Sequence, residues 1–475
     1  SNLASLVANR DRLTLAVEIQ LSSSASVTSF RYIEGLMRCQ AKLTYEGVAR
    51  ALELGETGRK ERAAESRRPM LEVLLELSSA LRKKRMQRGA LDFELPEPFV
   101  SVNPEDSEPL DVQRSKRDPG VRRAYSLVEE MMLLANEVVA SDLHRRKAPA
   151  IYRVHGLPDE DKLASFSSMA QSLGHQLKLE DAQNPRKLSR FLRKMDGTSH
   201  GPVLSYLLLR AMQQATYDTV NVGHFGLAAR HYLHYTSPIR RYPDLAVHRV
   251  VKALARKEKF QSKVLEKELQ QQASASSKLE RRAMSVEREV VDVYRAILVR
   301  ERVGEEFEGT VTGVAPHGIY VSLDSPFVEV LCHISTLGND FYELDQHGIR
   351  LVGRRSGSSF GLGDRLTIRL ESVNVAERTI VGTPALHVVG EQWPEGAAGG
   401  VGEEGGWLHV RKRPRKQNSG KEARGDGEGS EERPRRTRAG NKVAKRRHEK
   451  RRNKDQRKQD TRGSRKGASS DRRGS

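Results

Sequence analysis

The sequence predicts an α+β fold in three parts: a mixed sheet with surrounding helices over residues 1–300, an all-β barrel over residues 301–385, and a disordered basic tail over residues 386–475. Three patterns predict it. Apolar residues alternate with polar ones in residues 13–33 and again from Gly304 onward, the period of half-buried strands. In residues 68–88 and 122–143 they recur at helical spacing, the period of helices packed by one face, and residues 263–299 form a long Glu/Lys/Gln-rich helical segment. Beyond Pro384 the chain turns to glycine and then to arginine and lysine, a composition unable to bury a core.

In chain order, residues 13–21 and 27–33 form a hairpin joined by the serine-rich turn Ser22-Ser23-Ser24-Ala25-Ser26. Thr44 caps a helix running through Val48-Ala49-Arg50-Ala51-Leu52. A long helix over residues 68–88 turns Leu71, Leu74, Leu75, Leu77 and Leu81 inward, and Gly89 stops it. Residues 90–96 alternate as a strand. The helix over residues 122–143 buries Leu127, Met131, Leu134, Val138 and Val139. It also carries the pair Glu129-Glu130, which on residue type alone reads as a solvated face. Ala150-Ile151-Tyr152-Arg153-Val154-His155 is a strand, and the acidic run Asp159-Glu160-Asp161 opens the next helix. Carboxylates at a helix start complement its dipole, so a metal-ligand role for that run is rejected. Two more helices lie at about residues 187–195 and 202–212, and another over residues 245–254. The segment over residues 263–299 leads to the barrel. There, strands over residues 307–314 and 319–323 flank the turn Ala315-Pro316-His317-Gly318, a third covers residues 330–335, and an insert spans residues 339–364. Strands over residues 365–373 and 379–382 close the barrel.

A chain of 475 residues, 37% hydrophobic, is long enough for two or more packed domains plus disordered sequence. Its net charge is +20, yet residues 411–475 hold 26 Lys and Arg against 9 Asp and Glu, a balance of +17 that leaves the rest nearly neutral. Such a tail attracts RNA phosphates without sequence preference and with marked salt dependence; a localisation tag or ribosome-attachment tail is the alternative. Cys39 and Cys332 have no spacing that implies a disulfide framework or zinc site, which fits a reducing cytoplasm. No apolar run reaches the roughly 18 residues of a membrane span, and no signal peptide opens the chain. It starts without an initiator methionine and runs almost at once into a strand pattern, which reads as a piece of something longer.

The most informative stretch is His231-Tyr232-Leu233-His234-Tyr235-Thr236-Ser237-Pro238-Ile239-Arg240-Arg241-Tyr242-Pro243-Asp244. Thr236 and Ser237 before Pro238 break the chain and start a helix at Ile239. Free amides and the positive dipole end attract anions there, and Arg240 and Arg241 add planar forks suited to phosphate oxygens. The alternative is a capped helix with solvated arginines.

Together with Gly223-His224-Phe225-Gly226-Leu227, this stretch resembles the signature of the ribonuclease II and ribonuclease R family, processive exoribonucleases that degrade RNA from its 3′ end to nucleoside 5′-monophosphates. The Arg-Arg-Tyr-Pro-Asp form is closer to the ribonuclease R branch, and the similarity runs from about Leu3 to about Pro384. The resemblance implies that Arg240 contacts the scissile phosphate, with Arg241 a weaker phosphate contact. Tyr45, in Ala41-Lys42-Leu43-Thr44-Tyr45, is implied to lie against the RNA 3′ end. Phe93 is implied to stack on a base, an interaction worth about 1–3 kcal/mol. Glu129 is implied to meet ribose 2′-hydroxyls, which distinguish RNA from DNA. On residue type alone Tyr45 is a half-buried helix-start tyrosine and Phe93 a core residue. Residues 304–385 resemble an S1 domain, the OB barrel that binds single strands, with implied contacts from the rings of His317, Tyr320 and His333 and from polar groups near Asn374 and Arg378. His317 replaces the family's usual phenylalanine, which weakens stacking there.

In the family, paired magnesium ions held by converging aspartates activate water. Those aspartates, like the cold-shock-like domains, belong upstream of Ser1, and no run in this sequence replaces them, so Mg2+ is expected only with ligands outside the chain and no metal ligand is assigned within it. The expectation is the C-terminal portion of a 3′-to-5′ exoribonuclease acting on single-stranded RNA or RNA with a 3′ overhang. A complete chain would instead be a non-catalytic RNA-binding protein derived from a truncated nuclease. Implied partners are RNA and, through the tail, the ribosome or degradation machinery; no membrane is implied.

Overall fold

The computed structural model describes residues 5–55, 58–91, 98–114, 119–198, 200–258, 262–345 and 347–387. The strand over residues 90–96, Phe93 within it, and the basic tail lie outside these or largely so.

Strands β1 (Asp11–Leu21) and β2 (Val27–Arg38) form the first hairpin, which runs past the alternating core as far as the pair Asp11↔Arg38. Helix α1 (Tyr45–Ala51) starts at Thr44, whose hydroxyl accepts the Gly47 amide at 3.0 Å. A single turn, α2 (Arg62–Glu65), precedes α3 (Arg68–Arg88), which ends at Gly89 in the left-handed region at φ 107°. A Cβ at Gly89 would come within 2.6 Å of the Arg186 amide nitrogen, so both conformation and space require glycine there. Next come β3 (Pro98–Val102) and β4 (Pro109–Arg114), a hairpin that the sequence reading did not include. Its pattern is blurred because Val112 is buried while Phe99 and Leu110 are exposed.

Helix α4 (Pro119–Arg145) leads to β5 (Tyr152–Val154). Four helices follow, α5 (Glu160–Ser172), α6 (Leu179–Ala182), α7 (Pro185–Met195) and α8 (Gly201–Ala211), before β6 (Thr216–Asp218) returns to pair with β5. Asp159 caps α5 by accepting the Lys162 amide at 3.1 Å, in keeping with the dipole role given to that acidic run. Helices α9 (Tyr242–Ala255) and α10 (Ser262–Val299) complete this region. The mixed sheet expected here is present, among the described residues, as three separate two-stranded antiparallel sheets. Helices rather than neighbouring strands cover their faces: Tyr152 and Val154 of β5 pack with Val139 of α4 and with Val247 and Val250 of α9. A second core gathers Phe166, Leu188 and Leu204 from α5, α7 and α8 around Phe225. Each fully buried leucine there contributes about 1.5–3 kcal/mol.

The barrel has strand order β13-β14-β9-β8-β7, built from β7 (Glu306–Ala315), β8 (Gly318–Leu323), β9 (Glu329–His333), β13 (Arg365–Asn374) and β14 (Thr379–His387). The insert is a three-stranded antiparallel sheet, β10 (Tyr342–Leu344), β11 (Arg350–Gly353) and β12 (Ser359–Gly361). Ala296 and Val299 at the end of α10 join the barrel's core. Both cysteines are free, and burial pushes the Cys332 thiol up to about 12. Among the described residues no helix is long and apolar enough to cross a membrane.

The barrel is fastened to the helical region by Phe327. Its amide donates to the Val112 carbonyl of β4 at 2.7 Å, and its buried ring lies under two guanidinium groups, Arg114 at 4.9 Å and Arg295 at 5.5 Å from the ring centre. Removing that ring is expected to cost about 3–5 kcal/mol from lost packing, with cation–π attraction adding to it. Calorimetry of Phe327→Ala should split one melting transition into two as the barrel uncouples; a single transition at the wild-type temperature would show that Phe327 does not fasten the barrel.

Candidate functional site

The Gly223-His224-Phe225-Gly226-Leu227 loop is built around a neutral histidine. His155 Nε2 donates to the Gln213 carbonyl at 2.6 Å, and its Nδ1 accepts the Gly226 amide at 3.0 Å, an arrangement that leaves no place for a second ring proton. Burial pulls the His155 pKa down in agreement. Backbone bonds from His155 to Gly223 and from Phe225 back to His155 run the loop alongside β5. The Gly226 carbonyl accepts the Leu91 amide at 2.8 Å, which sets the loop against the chain two residues before Phe93. Phe93 itself lies outside the described residues.

The arginine turn differs from its sequence reading. The helix begins at Tyr242, not Ile239, and Pro243 rather than Pro238 occupies its first turn. The cause is Asp244, which is fully buried and accepts the Ser237 amide at 2.7 Å and the Arg241 fork at 2.9 Å to each oxygen. That clamp bends residues 237–241 into a tight turn before the helix starts. It also holds Arg241, whose guanidinium bonds Asp244 and is directed at the Thr236 hydroxyl. Arg240, one residue earlier, is exposed and has no ion-pair partner among the described residues.

Behind the turn sits a buried layer of tyrosines and histidines. Asn136 of α4 donates to the Tyr232 hydroxyl at 3.1 Å and accepts the Tyr235 amide at 2.9 Å. The Tyr217 hydroxyl pairs with His234 Nδ1 at 2.9 Å, and Arg153, ion-paired to Glu280 at 2.6 Å, lies over the Tyr217 ring. Burial, together with the Arg241 and Arg153 charges, drives His234 down to about 2; burial, His155 and Arg153 drive His224 down to about 3. Both imidazoles are therefore neutral structural groups near neutral pH.

Helix α4 connects this layer to the other predicted contacts. Tyr125, Glu129 and Asn136 follow one another at four- and seven-residue spacing and share one face. Asn136 holds Tyr235, two residues before the arginine turn, from a point about 10 Å along the helix from Glu129. Tyr45 stacks on Tyr125 at 3.6 Å between ring centres, one turn from Glu129. Glu129 is exposed and lies 3.9 Å from Arg85, whereas Glu130 is buried and holds the same buried guanidinium at 2.6 Å, so the two adjacent glutamates divide into a largely solvent-facing group and an interior one. Arg88 completes the junction, bonding Glu137 of α4 and the Leu227 carbonyl. Among the expected contacts, Tyr45 thus meets α4 through Tyr125 and Glu129 belongs to α4, whereas Arg240 lies in the turn before α9. Asp244, Asn136 and Tyr125 were missed, although an asparagine inside the apolar run Leu133-Leu134-Ala135-Asn136 and an aspartate three residues after Arg241 were both visible signals.

On the barrel, His317 Nε2 lies 2.9 Å from the Tyr320 hydroxyl, and His333 pairs in register with Gly318, so the three rings occupy one face. Gly318 has φ 152°, and a Cβ there would strike the Cys332 carbonyl at 2.2 Å. Asn374 and Arg378 stand apart. Val381 pairs with Leu331, which puts their turn at the far end of β9 from His333, about 13 Å along the strand. There Asn374 accepts the Glu377 amide and Arg378 faces Glu289 of α10. No group of three or more His, Cys, Asp or Glu among the described residues is placed to hold a metal ion, so magnesium has no fitting site in them.

An OB barrel with exposed rings, joined to a body that presents a guanidinium and a carboxylate from one helix-supported layer, defines a single-strand nucleic-acid-binding class of protein. Residues 1–257 match the RNB domain and residues 300–383 the S1 RNA binding domain, and the chain belongs to the RNB family in its ribonuclease R form. It is 36% identical over 389 residues to ribonuclease R of Escherichia coli (strain K12), across 80% of this chain and 47% of that one. Ribonuclease R of Aquifex aeolicus is 36% identical over 374 residues, across 79% of this chain and 52% of that one. The apo form of Mycoplasma genitalium RNase R superposes with a TM-score of 0.72 at 25% identity, across 81% of this chain and 59% of that one, and that protein is also known in complex with ribose methylated single-stranded RNA. The chain spans about half the length of the curated relatives it matches. Helix α10 lies between the two matched regions.

Proposed function

We propose that this chain is the portion of a processive 3′-to-5′ exoribonuclease that holds the terminal nucleotides of single-stranded RNA, or of RNA with a 3′ overhang, for hydrolysis to nucleoside 5′-monophosphates. The observation that supports this reading is Arg240: exposed, without an ion-pair partner among the described residues, and next to the turn that buried Asp244 of α9 clamps through the Ser237 amide. Its guanidinium takes the phosphate, Glu129 accepts the ribose 2′-hydroxyl, and Tyr45 on its Tyr125 support receives the 3′ end. Phe93, His317, Tyr320 and His333 stack bases along the strand; Asn374 and Arg378 add polar contacts, and the basic tail adds phosphate contacts. No bond-breaking step is assigned to the described residues, because none of them forms a metal site.

Arg240→Ala is expected to weaken binding of a labelled single-stranded RNA about 10- to 100-fold, from losing a charged hydrogen-bonded contact. Glu129→Gln should erode the preference for RNA over an oligonucleotide ending in deoxyribose. Unchanged affinity in Arg240→Ala would overturn the reading. With magnesium added, the chain should bind RNA yet release no mononucleotides. A second reading is a non-catalytic RNA-binding protein, and the same assay on the longest natural polypeptide containing this sequence separates the two.

A further inference from the structure

We propose that the barrel's insert carries an additional RNA subsite, in which the Phe341 ring stacks a nucleobase and Arg355 meets the neighbouring phosphate; this rests on the RNA-binding reading above. Phe341 is 72% exposed, among the most exposed large apolar side chains of the described residues, yet it is not on a loose loop. Asp340, next to it, has its carboxylate almost wholly covered and accepts amides from Phe341 at 2.7 Å, Arg355 at 3.0 Å and Ser356 at 2.6 Å, together with the Ser356 hydroxyl at 2.6 Å. The Arg354 amide returns to the Phe341 carbonyl at 2.9 Å. On the other side, Tyr342 is buried and its hydroxyl bonds the Leu337 carbonyl, which ties the insert to the chain leaving the barrel's ring face at His333.

A solvated phenylalanine whose backbone is held this firmly has already lost its backbone freedom, so a flat partner gains stacking without having to order the loop. The Arg355 guanidinium lies 5.7 Å from the ring centre; it reaches Asp340 at 3.5 Å and donates to the Asn339 carbonyl, yet its side chain stays 61% exposed, open to a phosphate. A π face beside a cation is the pairing that single-strand binders use for a base and its phosphate. A protein partner would need a wider apolar surface, and Phe341 stands among Arg354, Arg355 and Glu343.

The test is fluorescence anisotropy with a labelled long oligoadenylate. Phe341→Ala should weaken binding about 5- to 100-fold, and Arg355→Gln should weaken it less while lowering the salt slope by about one. A short oligoadenylate that fills only the Arg240 groove should bind both variants like wild type. In Phe341→Trp, affinity should be kept, and indole emission beyond that of Trp393 and Trp407 should be quenched by RNA. If wild type binds the long oligomer and Phe341→Ala binds it equally, or the new tryptophan ignores RNA, the subsite is overturned while the Arg240 reading stands. If wild type binds no RNA, both fall.

Discussion

Asp244→Ala should destabilise the fold by about 3–5 kcal/mol, the cost of leaving a partly buried guanidinium without its carboxylate. The Ser237 amide would lose its acceptor in the same step, so the arginine turn would open as well. Asp244→Asn keeps an acceptor for that amide but leaves the Arg241 charge unbalanced, and should fall in between. Arg240→Ala, one residue from the clamp, removes an exposed side chain and should stay within about 0.5 kcal/mol of wild type. Urea midpoints at constant slope separate the three variants. An Asp244→Ala midpoint equal to that of wild type would mean that something else shapes the turn.

Mild acid should destabilise this protein well above the pH at which its carboxylates titrate. In the unfolded chain a histidine takes up its proton near pH 6.5, whereas in the fold His224 stays neutral down to about 3 and His234 to about 2. With folded values below the unfolded ones, their contribution is complete above about pH 6.5 and shrinks as the pH falls, at about 1.4 kcal/mol per unit for each ring. From pH 6.5 to 5 the two together remove about 3 kcal/mol. His155 and His248 are lowered by burial too and act with the same sign. Stability measured at pH 8, 6.5 and 5 should be level across the first interval and drop across the second, and His234→Gln should shallow the drop. A flat profile down to pH 5 would contradict neutral histidines in the buried layer.

Much of this architecture was legible in the residues. The helix over residues 68–88 and its glycine stop match α3 and Gly89, and the Thr44 cap and the barrel strands lie where alternation and turn residues put them. These are local effects: period, capping and left-handed glycine act within a few residues. The hairpin over residues 98–114 was not legible, because its buried side is made by α10 and by the barrel's Phe327 loop, both far along the chain. Glu129 and Glu130 look alike in sequence; only Arg85, arriving from α3, makes one of them an interior group.

The order of residues settled most of the long helices and the barrel strands, where the basic charge collects, and that an arginine pair follows a tyrosine-histidine run. Tertiary structure alone decided which arginine is available. Arg240 and Arg241 share chemistry and neighbourhood, and they differ because one buried carboxylate, folded back from the following helix, satisfies the second guanidinium and turns the first toward solvent. Burial is a property of the assembled layers, so no local pattern could assign it.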